Sequence, residues 1–287
     1  MFEKVLFSTD FSEYAKSALD CIGSLPDIRT IILLHVMDET RPLKGGQIGD
    51  ILVRAARNSL QEEKHHLETI SPNITVVPVV KTSSDISRTI LETAEREEVT
   101  LIVIGARGKS RVEGILLGSV SRAVVRRSRK NVLIMRHKII EDLNEKTHQK
   151  FCRGILSKVL CPTDFSEYSD KAIILASTMK VIGEVILLHV ISKEETEREI
   201  EEAVKIAKIR IGAIRDGLAA QGIKARAIVR TGSPAHEITK IADEEDVSVI
   251  WMNSYGKGWF RDLLLGSTAH EVTLTSKQPV IIIRAPV

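Results

Sequence analysis

The six residues TDFSEY stand at 9–14 and return unchanged at 163–168, 154 positions later (164 − 10 for the two aspartates). Their flanks match as well, because KVLFSTDFSEYAKSAL in the first copy aligns with KVLCPTDFSEYSDKAI in the second. A repeat that extends well beyond its most similar residues indicates a duplicated domain rather than a short motif used twice. This stretch therefore decides the fold of the whole chain.

The rest of each half is duplicated as well. IILLHV at 31–36 returns as VILLHV at 185–190, and NVLIMR at 131–136 returns as PVIIIR at 279–284. A longer match pairs TLIVIGARGKSRVEGILLGSV with SVIWMNSYGKGWFRDLLLGST, 148 positions apart (248 − 100). The second copy is therefore six residues shorter (154 − 148), and we place the missing residues in the loop MDETRPLKGGQIGD at 37–50.

The length of the chain agrees with two domains. Its 287 residues exceed what most single hydrophobic cores hold, and they divide naturally into two halves. We assign the first domain to 1–138 and the second to 156–287. Between them, 139–155 is charged and lacks a clear hydrophobic periodicity, which is typical of a linker.

Each copy alternates short apolar stretches with longer amphipathic ones. KVLFST, TIILLHV, ITVVPVV, TLIVIG and NVLIMR are rich in β-branched residues and apolar almost throughout, which is typical of strands covered on both faces. SEYAKSALDCIG places apolar residues at helical spacing, and Ser12 and Ser166 are suitable N-caps for this stretch and its repeat. Five strands alternating with four helices predict a doubly wound α/β domain with a parallel sheet, present twice.

The composition describes an ordinary globular protein, with 43% hydrophobic and 28% charged residues. The net charge of +3 is too small to indicate a nucleic-acid partner, and we interpret the basic run RAVVRRSRK at 122–130 as the exposed end of a helix. No apolar run approaches the roughly 20 residues that a membrane-spanning helix needs. We therefore expect neither a nucleic-acid partner nor a membrane partner.

The N-terminus and the cysteines both favour a cytoplasmic protein. The opening residues MFEKVLFSTDF enter a strand-like pattern directly, without a charged leader or a cleavage site. The three cysteines, Cys21, Cys152 and Cys161, have no metal-binding spacing, and their odd number suits a reducing compartment. We interpret all three as structural thiols.

Two places that follow predicted strands carry residues suited to a ligand site. Ligands of open α/β sheets bind beyond the carboxyl ends of the strands, where the strand order reverses. Asp10 follows the first strand directly, and its carboxylate could accept hydrogen bonds from a sugar hydroxyl or an exocyclic amine if the first and fourth strands are neighbours. The alternative is that Asp10 caps the turn before the first helix, and the two roles are compatible.

The second place is the loop GARGKSRVEGILLGS at 105–119, between the fourth strand and the next helix. Gly105 and Gly108 allow a tight turn and a close approach of the backbone to a ligand. Gly118 and Ser119 open a helix, whose free N–H groups favour a phosphate. The loop is neither a Walker A sequence nor a GxGxxG fingerprint, and glycines after a strand also make ordinary turns.

These features resemble the universal stress proteins, a family whose ATP-binding branch carries G-x-x-G, nine residues and then G-S. Here that signature reads Gly105, Gly108 and then Gly118-Ser119, while STDFSE after the first strand and LLHV in the second are also similar to the family. The resemblance covers both halves of the chain. It implies a tandem protein that binds ATP with Mg²⁺, in the adenine-nucleotide α-hydrolase-like fold with five parallel strands in the order 3-2-1-4-5.

The resemblance also implies which residues hold the nucleotide. The adenine and ribose lie at the aspartate after the first strand and at the residue after LLH, and the triphosphate lies at the glycine–serine segment. In the first domain these residues are Asp10, Val36, Gly105, Gly108, Gly118, Ser119, Val120 and Ser121. Members of the family commonly pair through their last strands. The resemblance therefore implies that NVLIMR and PVIIIR pair within the chain as an intramolecular pseudo-dimer, with a homodimer of the chain as a further option.

The second copy departs from the family pattern in its loop. The residues that match the signature and its surroundings there are Asp164, Val190, Gly256, Gly266 and Ser267. Asn253 replaces the first glycine, and the loop contains Tyr255, Trp259 and Phe260. Asparagine tolerates a left-handed backbone, but its side chain could crowd the phosphates. We expect the aromatic residues to pack on the neighbouring half rather than to form a lid, and the second domain to bind ATP weakly or not at all.

Three functions fit this sequence, and we favour an ATP-binding regulatory protein of the stress response whose occupancy changes how it meets an unknown protein partner. The alternatives are an interaction scaffold that binds no nucleotide and a slow ATP hydrolase with Mg²⁺ between the phosphates and Ser119. We identify no catalytic residue and no metal site of the protein itself, because neither glycine-rich loop carries a positioned base. His35 and His189 end the second strand of each copy, where we expect them to be structural and hydrogen-bonded.

Overall fold

The structure, a computed structural model, describes residues 2–23, 25–40, 46–106, 117–136, 154–179, 181–192, 197–256 and 265–284. The chain divides into two compact units, Met1–Arg153 and Gly154–Val287. Each unit is a doubly wound α/β domain, which confirms the predicted fold class. All but the last two residues of the predicted linker lie outside the described ranges, and the domain bounds stay predictions.

Strands and helices alternate along the first unit. Its described elements are β1 (Lys4–Ser8), α1 (Glu13–Ile22), β2 (Thr30–Asp38), α2 (Gly46–Ile70), β3 (Thr75–Ser83), α3 (Ile86–Arg96), β4 (Leu101–Gly105), α4 (Ser119–Arg127) and β5 (Asn131–Met135). All strand pairs are parallel, in the order β3-β2-β1-β4-β5. This is the order that the family resemblance implies.

The second unit repeats the same arrangement. Its described elements are β6 (Lys158–Pro162), α5 (Glu167–Ser177), β7 (Glu184–Ile191), α6 (Glu197–Ala220), β8 (Ala225–Thr231), α7 (Pro234–Glu244), β9 (Val249–Asn253), α8 (Ser267–Thr275) and β10 (Val280–Ile283). The strands run parallel in the order β8-β7-β6-β9-β10. The predicted repeat is therefore confirmed element by element.

The central strands are buried on both faces, as their continuous apolarity predicts. Val5, Leu6 and Phe7 of β1 are 0% exposed, and Val159 and Leu160 of β6 are equally inaccessible. In each unit the first strand lies between the second and the fourth. The crossover helices leave this strand in opposite directions, so a crevice opens at its carboxyl end.

The first helix of each unit begins at the predicted serine cap. The Ser12 side chain accepts a hydrogen bond from the Ala15 N–H at 3.2 Å, and Ser166 accepts one from the Ser169 N–H at 3.2 Å. Because both serines have extended backbone dihedrals, their hydroxyls can reach the free N–H groups of the first turn. The helix start is thus set by local chemistry in both copies.

The loop predicted at 37–50 is wrong at both of its ends. Strand β2 continues to Asp38 because it pairs with β3 over its full length. Helix α2 then begins at Gly46, although glycines disfavour a helix. Packing against the sheet overrides that local preference, since Leu60 and Leu67 of this 25-residue helix are 1% and 0% exposed.

Helices α2 and α6 match each other through the spacing of their buried residues. These are Ala56, Leu60 and Leu67 in α2, and Ala207, Ile211 and Leu218 in α6. The offset inside the helices is 151 (207 − 56), compared with 154 in the preceding strands. Three of the six missing residues therefore lie before the helix and the others after it, so the single loop deletion predicted from the sequence is wrong. The same alignment pairs Glu63 with Ile214.

Cys21 is disulfide-bonded, so the interpretation of all three cysteines as thiols is wrong for this residue. Sequence spacing did not indicate this, because disulfide formation depends on the separation of two cysteines in space. Cys161 on β6 is a free, buried thiol, and burial raises its pKa to about 12. Cys161 therefore has the structural role that we predicted for it. Cys152 lies outside the described residues.

Candidate functional site

The first unit has a cavity of about 220 Å³ at the carboxyl ends of β1 and β4. Its walls include the predicted residues Asp10, Val36, Gly105, Gly118, Ser119, Val120 and Ser121. Gly108 lies outside the described residues. Ser8 pairs with Ile104 in the β1–β4 register, so the two strands are the neighbours that the predicted role of Asp10 requires.

The Asp10 carboxylate divides its two oxygens between two environments. Oδ1 accepts hydrogen bonds from the Ser12 N–H at 3.1 Å and from the Ser12 hydroxyl at 2.6 Å. Oδ2 is buried and has no hydrogen-bond partner among the described residues. One oxygen therefore supports the turn before α1, while the other remains an acceptor for a ligand donor. Both roles that the sequence allowed are compatible with this geometry.

The turn that presents Asp10 has an uncommon backbone conformation. Phe11 adopts φ 62° and its counterpart Phe165 adopts φ 60°, in the left-handed region that bulky residues rarely occupy. Each phenylalanine N–H donates to the threonine hydroxyl two residues earlier, Phe11 to Thr9 at 3.1 Å and Phe165 to Thr163 at 2.9 Å. The threonine of TDFSEY thus helps to hold this strained turn in both units.

Two histidines support the same turns from the second strand of each unit. His35 Nδ1 donates to the Thr9 carbonyl at 2.8 Å, and His189 Nδ1 donates to the Thr163 carbonyl at 2.7 Å. The imidazole rings also lie 4.3 Å and 4.2 Å from the rings of Phe11 and Phe165. These contacts are those of structural histidines, as the sequence predicted.

The glycine–serine segment forms the opposite wall of the first cavity. The Gly118 N–H donates to the Ala106 carbonyl at 2.7 Å, which closes the loop between β4 and α4 at its base. No side chain caps α4 within the described part of the chain. The N–H groups of its first turn therefore face the cavity as donors for an anion. Ser121 uses its hydroxyl to bind the Gly105 carbonyl at 2.7 Å.

The second unit has a matching cavity of about 290 Å³. It brings together all five residues that the sequence predicts there, which are Asp164, Val190, Gly256, Gly266 and Ser267. The Gly266 N–H donates to the Ser254 carbonyl at 2.8 Å, so the loop base closes as in the first unit. Asp164 Oδ1 accepts from the Ser166 N–H at 3.0 Å and from the Ser166 hydroxyl at 2.6 Å.

Asn253, which replaces the first glycine of the signature, ends strand β9 without a left-handed backbone. The tolerance of asparagine for that conformation is therefore not what preserves the turn. Instead, its side-chain Nδ2 donates to the Tyr255 carbonyl at 2.7 Å, and the residue is 7% exposed. The side chain thus fixes the start of the loop.

Gly256 shows why the second loop needs a glycine at this position. A Cβ atom there would lie 2.7 Å from Oδ2 of Asp164, closer than side chains approach one another. The loop after β9 therefore packs its backbone directly against the aspartate of the TDF turn. A glycine at 256 is required by this close approach and not by backbone torsion.

Tyr255 packs inside its own unit. Its ring lies 6.1 Å from that of Tyr168 in an edge-on arrangement, and its side chain hydrogen-bonds Arg284 at the end of β10. Burial lowers the pKa of Arg284 to about 10, and the interaction with Tyr255 opposes that shift. The described contacts of Tyr255 are with its own unit, whereas the sequence predicted packing on the neighbouring half. Trp259 and Phe260 lie outside the described residues.

Sequence reasoning missed Arg136, which lines the first cavity at the end of β5 and is 4% exposed. A buried guanidinium beside a helix N-terminus adds positive charge to the wall where phosphates are expected. The available signal was that both copies of the terminal strand end in arginine, as Arg136 and Arg284. Arg284, by contrast, does not belong to the described lining of the second cavity.

Sequence reasoning also missed Glu63, a carboxylate 6% exposed on α2 beneath the TDF turn. Its Oε1 accepts from the Thr9 hydroxyl at 3.3 Å. Burial raises the pKa of Glu63 to about 7, the Asp10 charge adds to this, and the bond from Thr9 opposes it. The signal was a lone acid on the helix face that otherwise carries Leu60 and Leu67.

Within the described ranges, no helix is long and apolar enough to cross a bilayer. No group of three or more His, Cys, Asp or Glu side chains is placed there to hold a metal ion. The described side chains form a cavity in each of two doubly wound α/β domains, with an aspartate on one wall and a helix N-terminus on the other.

The class of protein is settled by comparison with known families. The model of the universal stress protein family matches residues 1–136 and again residues 156–284. The chain belongs to this family, and it carries two of the family's domains in tandem.

Individual relatives agree with the family match. A universal stress protein of Methanocaldococcus jannaschii is 34% identical over 152 residues, covering 44% of this chain and 94% of the relative. One from Methanothermobacter thermautotrophicus is 32% identical over 130 residues, covering 40% of this chain and 86% of the relative. A crystal structure of a universal stress protein from Archaeoglobus fulgidus has a TM-score of 0.72 at 24% identity and covers 99% of both chains, which confirms the fold.

Proposed function

We propose that the chain is an ATP-binding regulatory protein of the stress response and that its first domain holds the nucleotide. One observation carries this proposal: the buried acceptor Oδ2 of Asp10 belongs to the same cavity as the uncapped N-terminus of α4. A carboxylate oxygen suits a ribose hydroxyl or an adenine amine, and a helix N-terminus suits phosphate. A ligand with both chemistries in one small molecule is a nucleotide.

The chain's own residues divide the work of binding. Asp10 and the backbone at Val36 would receive the nucleoside, and the backbone of Gly118, Ser119 and Val120 would receive the phosphates. Arg136 adds a buried positive charge on the phosphate side. Mg²⁺ would travel with the phosphates, with the Ser119 hydroxyl as its protein ligand, and would neutralise their charge.

For the second domain we propose weak binding or none. Asn253 stands where the signature has its first glycine, and it gives the second cavity a side chain that Gly105 does not have. Tyr255 also engages Arg284, whose counterpart Arg136 lines the first cavity. The second cavity is the larger of the two, but it offers the phosphates a side chain in place of a glycine and less positive charge.

We propose binding without catalysis. The titratable side chains that line the first cavity among the described residues are Asp10, Tyr14, His35 and Arg136. The Asp10 and His35 contacts support the turn, and neither tyrosine nor arginine is an effective base at neutral pH. Slow ATP hydrolysis and a nucleotide-free scaffold are the alternatives, and the experiment below distinguishes them.

The first experiment is to purify the full chain, denature it, and measure the identity and amount of any released nucleotide by mass spectrometry. We expect about one ATP per chain, which one intact site predicts. Empty protein is then titrated with Mg-ATP, and the same sample is assayed for phosphate release. A flat titration would support the nucleotide-free scaffold. Turnover above that of the Asp10→Asn variant would indicate a hydrolase.

Three parts of the proposal stay predictions. They are the cytoplasmic location, the protein partner that reads the nucleotide state, and the pairing of NVLIMR with PVIIIR as an intramolecular pseudo-dimer. Fractionation, capture with nucleotide-loaded against empty protein, and the oligomeric state of the full chain test them in turn.

A further inference from the structure

The buried carboxylate of Glu63 lies directly behind the turn that presents Asp10. Oε1 of Glu63 accepts from the Thr9 hydroxyl, and Oε2 is buried with no hydrogen-bond partner among the described residues. A buried carboxylate with an unpartnered oxygen is costly when charged and far less so when protonated. The position therefore favours a proton on Glu63 near neutral pH.

Thr9 connects Glu63 to the turn. Its hydroxyl accepts from the Phe11 N–H at 3.1 Å, so the single hydroxyl proton is available for Glu63 at 3.3 Å. Its carbonyl accepts from His35 at 2.8 Å. Because Thr9 precedes Asp10 directly, the charge of Glu63 acts on the residue that is expected to hold the nucleoside.

The charged groups around Glu63 do not offset the effect of burial on its pKa. On α1, Lys16 is paired with Glu13 at 2.9 Å, and Asp20 is paired with His66 of α2 at 2.8 Å. The neighbouring Glu62 is exposed.

Lys16 and His66 lower the pKa of Glu63, but less than burial raises it, and the charge of Asp10 acts in the same direction as burial. On β2, the imidazole of His35 also faces the turn, where it donates to the Thr9 carbonyl.

The second unit lacks this carboxylate. Ile214 stands in the position of Glu63, and Ser169 stands in the position of Ala15. The Thr163 hydroxyl is accordingly satisfied by Ser169 at 3.0 Å, a neutral partner that does not titrate. A different carboxylate, Asp170 of α5, lies near the second turn: burial raises its pKa, Arg210 opposes that shift and the Asp164 charge adds to it. Among the described residues, a buried acid bonded to the threonine hydroxyl of the turn is therefore specific to the first unit.

We propose that Glu63 is a positioning residue of the first site, and that it takes up a proton when an adenine nucleotide binds, so that the affinity of the site rises as the pH falls through neutrality. This inference rests on the proposed function of the first domain. A bound nucleotide brings several negative charges and displaces water beside Asp10. Both changes disfavour a second negative charge behind the turn.

The proton comes from solvent and adds to Oε2 of Glu63, the oxygen without a described partner. Oε1 keeps its hydrogen bond from Thr9, so the turn is not broken. The neutral acid removes the repulsion between Glu63 and Asp10 and leaves the Asp10 carboxylate charged for the ligand. By linkage, nucleotide binding and proton binding then favour each other equally.

The test is calorimetric titration of the full chain with Mg-ATP between about pH 6 and about pH 8, for the wild type and for Glu63→Gln. If nucleotide raises the pKa of Glu63 by about one unit, the wild-type affinity should fall roughly fivefold over this range, since the full factor of about 10 is reached only outside it. Glu63→Gln should lose this fall and keep only the pH dependence that both proteins share. The γ-phosphate of ATP titrates in both proteins, so their ratio isolates Glu63.

Net proton uptake on nucleotide binding is a second measurement, and a residue with only a structural role would not change it. At about pH 7, binding heats measured in buffers of different ionisation enthalpy should report net uptake by the wild type and less by Glu63→Gln. The exposed neighbour provides a matched control, since Glu62→Gln should behave as the wild type. The double variant Ala15→Ser/Glu63→Ile copies the second unit, and we expect it to behave as Glu63→Gln.

Equal pH dependence and equal proton uptake in the wild type and both Glu63 variants would overturn the inference while leaving nucleotide binding intact. Absence of binding at every pH in all the proteins would overturn the proposed function and this inference with it. The two failures are therefore distinguishable in one set of titrations.

Discussion

The two TDFSEY turns are nearly superimposable in their internal contacts. The aspartate Oδ1 accepts from the following serine hydroxyl at 2.6 Å in both units, and the phenylalanine φ angles are 62° and 60°. The histidine contacts, at 2.8 Å and 2.7 Å, are equally similar. The motif and its histidine therefore adopt the same turn geometry in both units.

The two turns differ in the side chains that surround them. The first turn rests on the buried acid Glu63, while the second has Ile214 and the extra hydroxyl of Ser169. The charge beside the second turn also differs, because Arg210 of α6 lies 4.3 Å from the ring of Phe165. Identical motifs thus share a shape without sharing an electrostatic environment, and the difference lies in residues outside the motif.

The largest expected difference between the units is in nucleotide affinity after the aspartates are changed. Asp10→Asn keeps an oxygen for Ser12 but places an amide at the second position, where it cannot accept. Losing a hydrogen bond to a charged acceptor costs about 1.5–3 kcal/mol, so the affinity for Mg-ATP should fall roughly ten- to a hundredfold. Titration calorimetry measures this directly.

Asp164→Asn is the matched control and should leave the affinity and the stoichiometry unchanged. If Asp164→Asn instead weakened binding as much as Asp10→Asn does, the asymmetry between the two domains would be wrong.

The fold was predictable because its signals are local and repeated. Continuous apolar stretches predicted strands buried on both faces, and Ser12 and Ser166 predicted the helix starts. The strand order came from the family resemblance, because pairing between distant strands leaves no local pattern in one sequence. Helix α2 was missed at its start because the glycines at 45, 46 and 49 resemble a loop, and only packing reveals the helix.

The site was predictable as far as its motif extends. Asp10, Val36 and the glycine–serine segment do meet at one cavity. Arg136 and Glu63 were not predicted, because each approaches the site from an element far away in sequence. The roles of Asn253 and Gly256 could not be read either, since one depends on a bond to a carbonyl and the other on a close approach to Asp164.

The second prediction concerns the arginines that end the terminal strands. Arg136→Met should weaken Mg-ATP binding roughly fivefold to tenfold, because a buried cation on the phosphate side contributes about 1–1.5 kcal/mol. Arg284→Met should leave nucleotide affinity unchanged, because its guanidinium engages Tyr255. Parallel titrations of the two variants test the contrast, and equal losses would mean that both domains bind nucleotide through this arginine.

The third prediction concerns stability in the absence of nucleotide. The pKa of Glu63 is raised from 4.5 to about 7 in the folded state, so the folded chain binds more protons than the unfolded chain between these values. The contribution of Glu63 to the free energy of unfolding is therefore favourable at low pH and is lost as the pH rises through this window. Glu63→Gln cannot ionise and escapes that loss.

Urea titrations should show that Glu63→Gln gains stability over the wild type as the pH rises from about 4.5 to about 7, by on the order of 1 kcal/mol after solvent screening, and no further above that. Glu62→Gln is the control, because its side chain is exposed. A constant difference between Glu63→Gln and the wild type across the whole range would show that Glu63 does not titrate in the folded chain.

The smallest expected effect tests the similarity of the turns rather than their difference. Ser12 and Ser166 each cap a helix at 3.2 Å and each donate to an aspartate at 2.6 Å. Ser12→Ala and Ser166→Ala should therefore destabilise the chain by about 1 kcal/mol each, as loss of a serine cap usually does. The two losses should be nearly equal, because the two serines make these contacts at the same distances. Urea unfolding at a pH well above 7 gives the comparison with Glu63 fully charged.

A much larger loss at Ser12 would mean that the charge behind the first turn strains it, so that equal geometry conceals unequal energy. Repeating the pair in the Glu63→Gln background should then restore the equality, and failure to restore it would assign the extra loss to another neighbour.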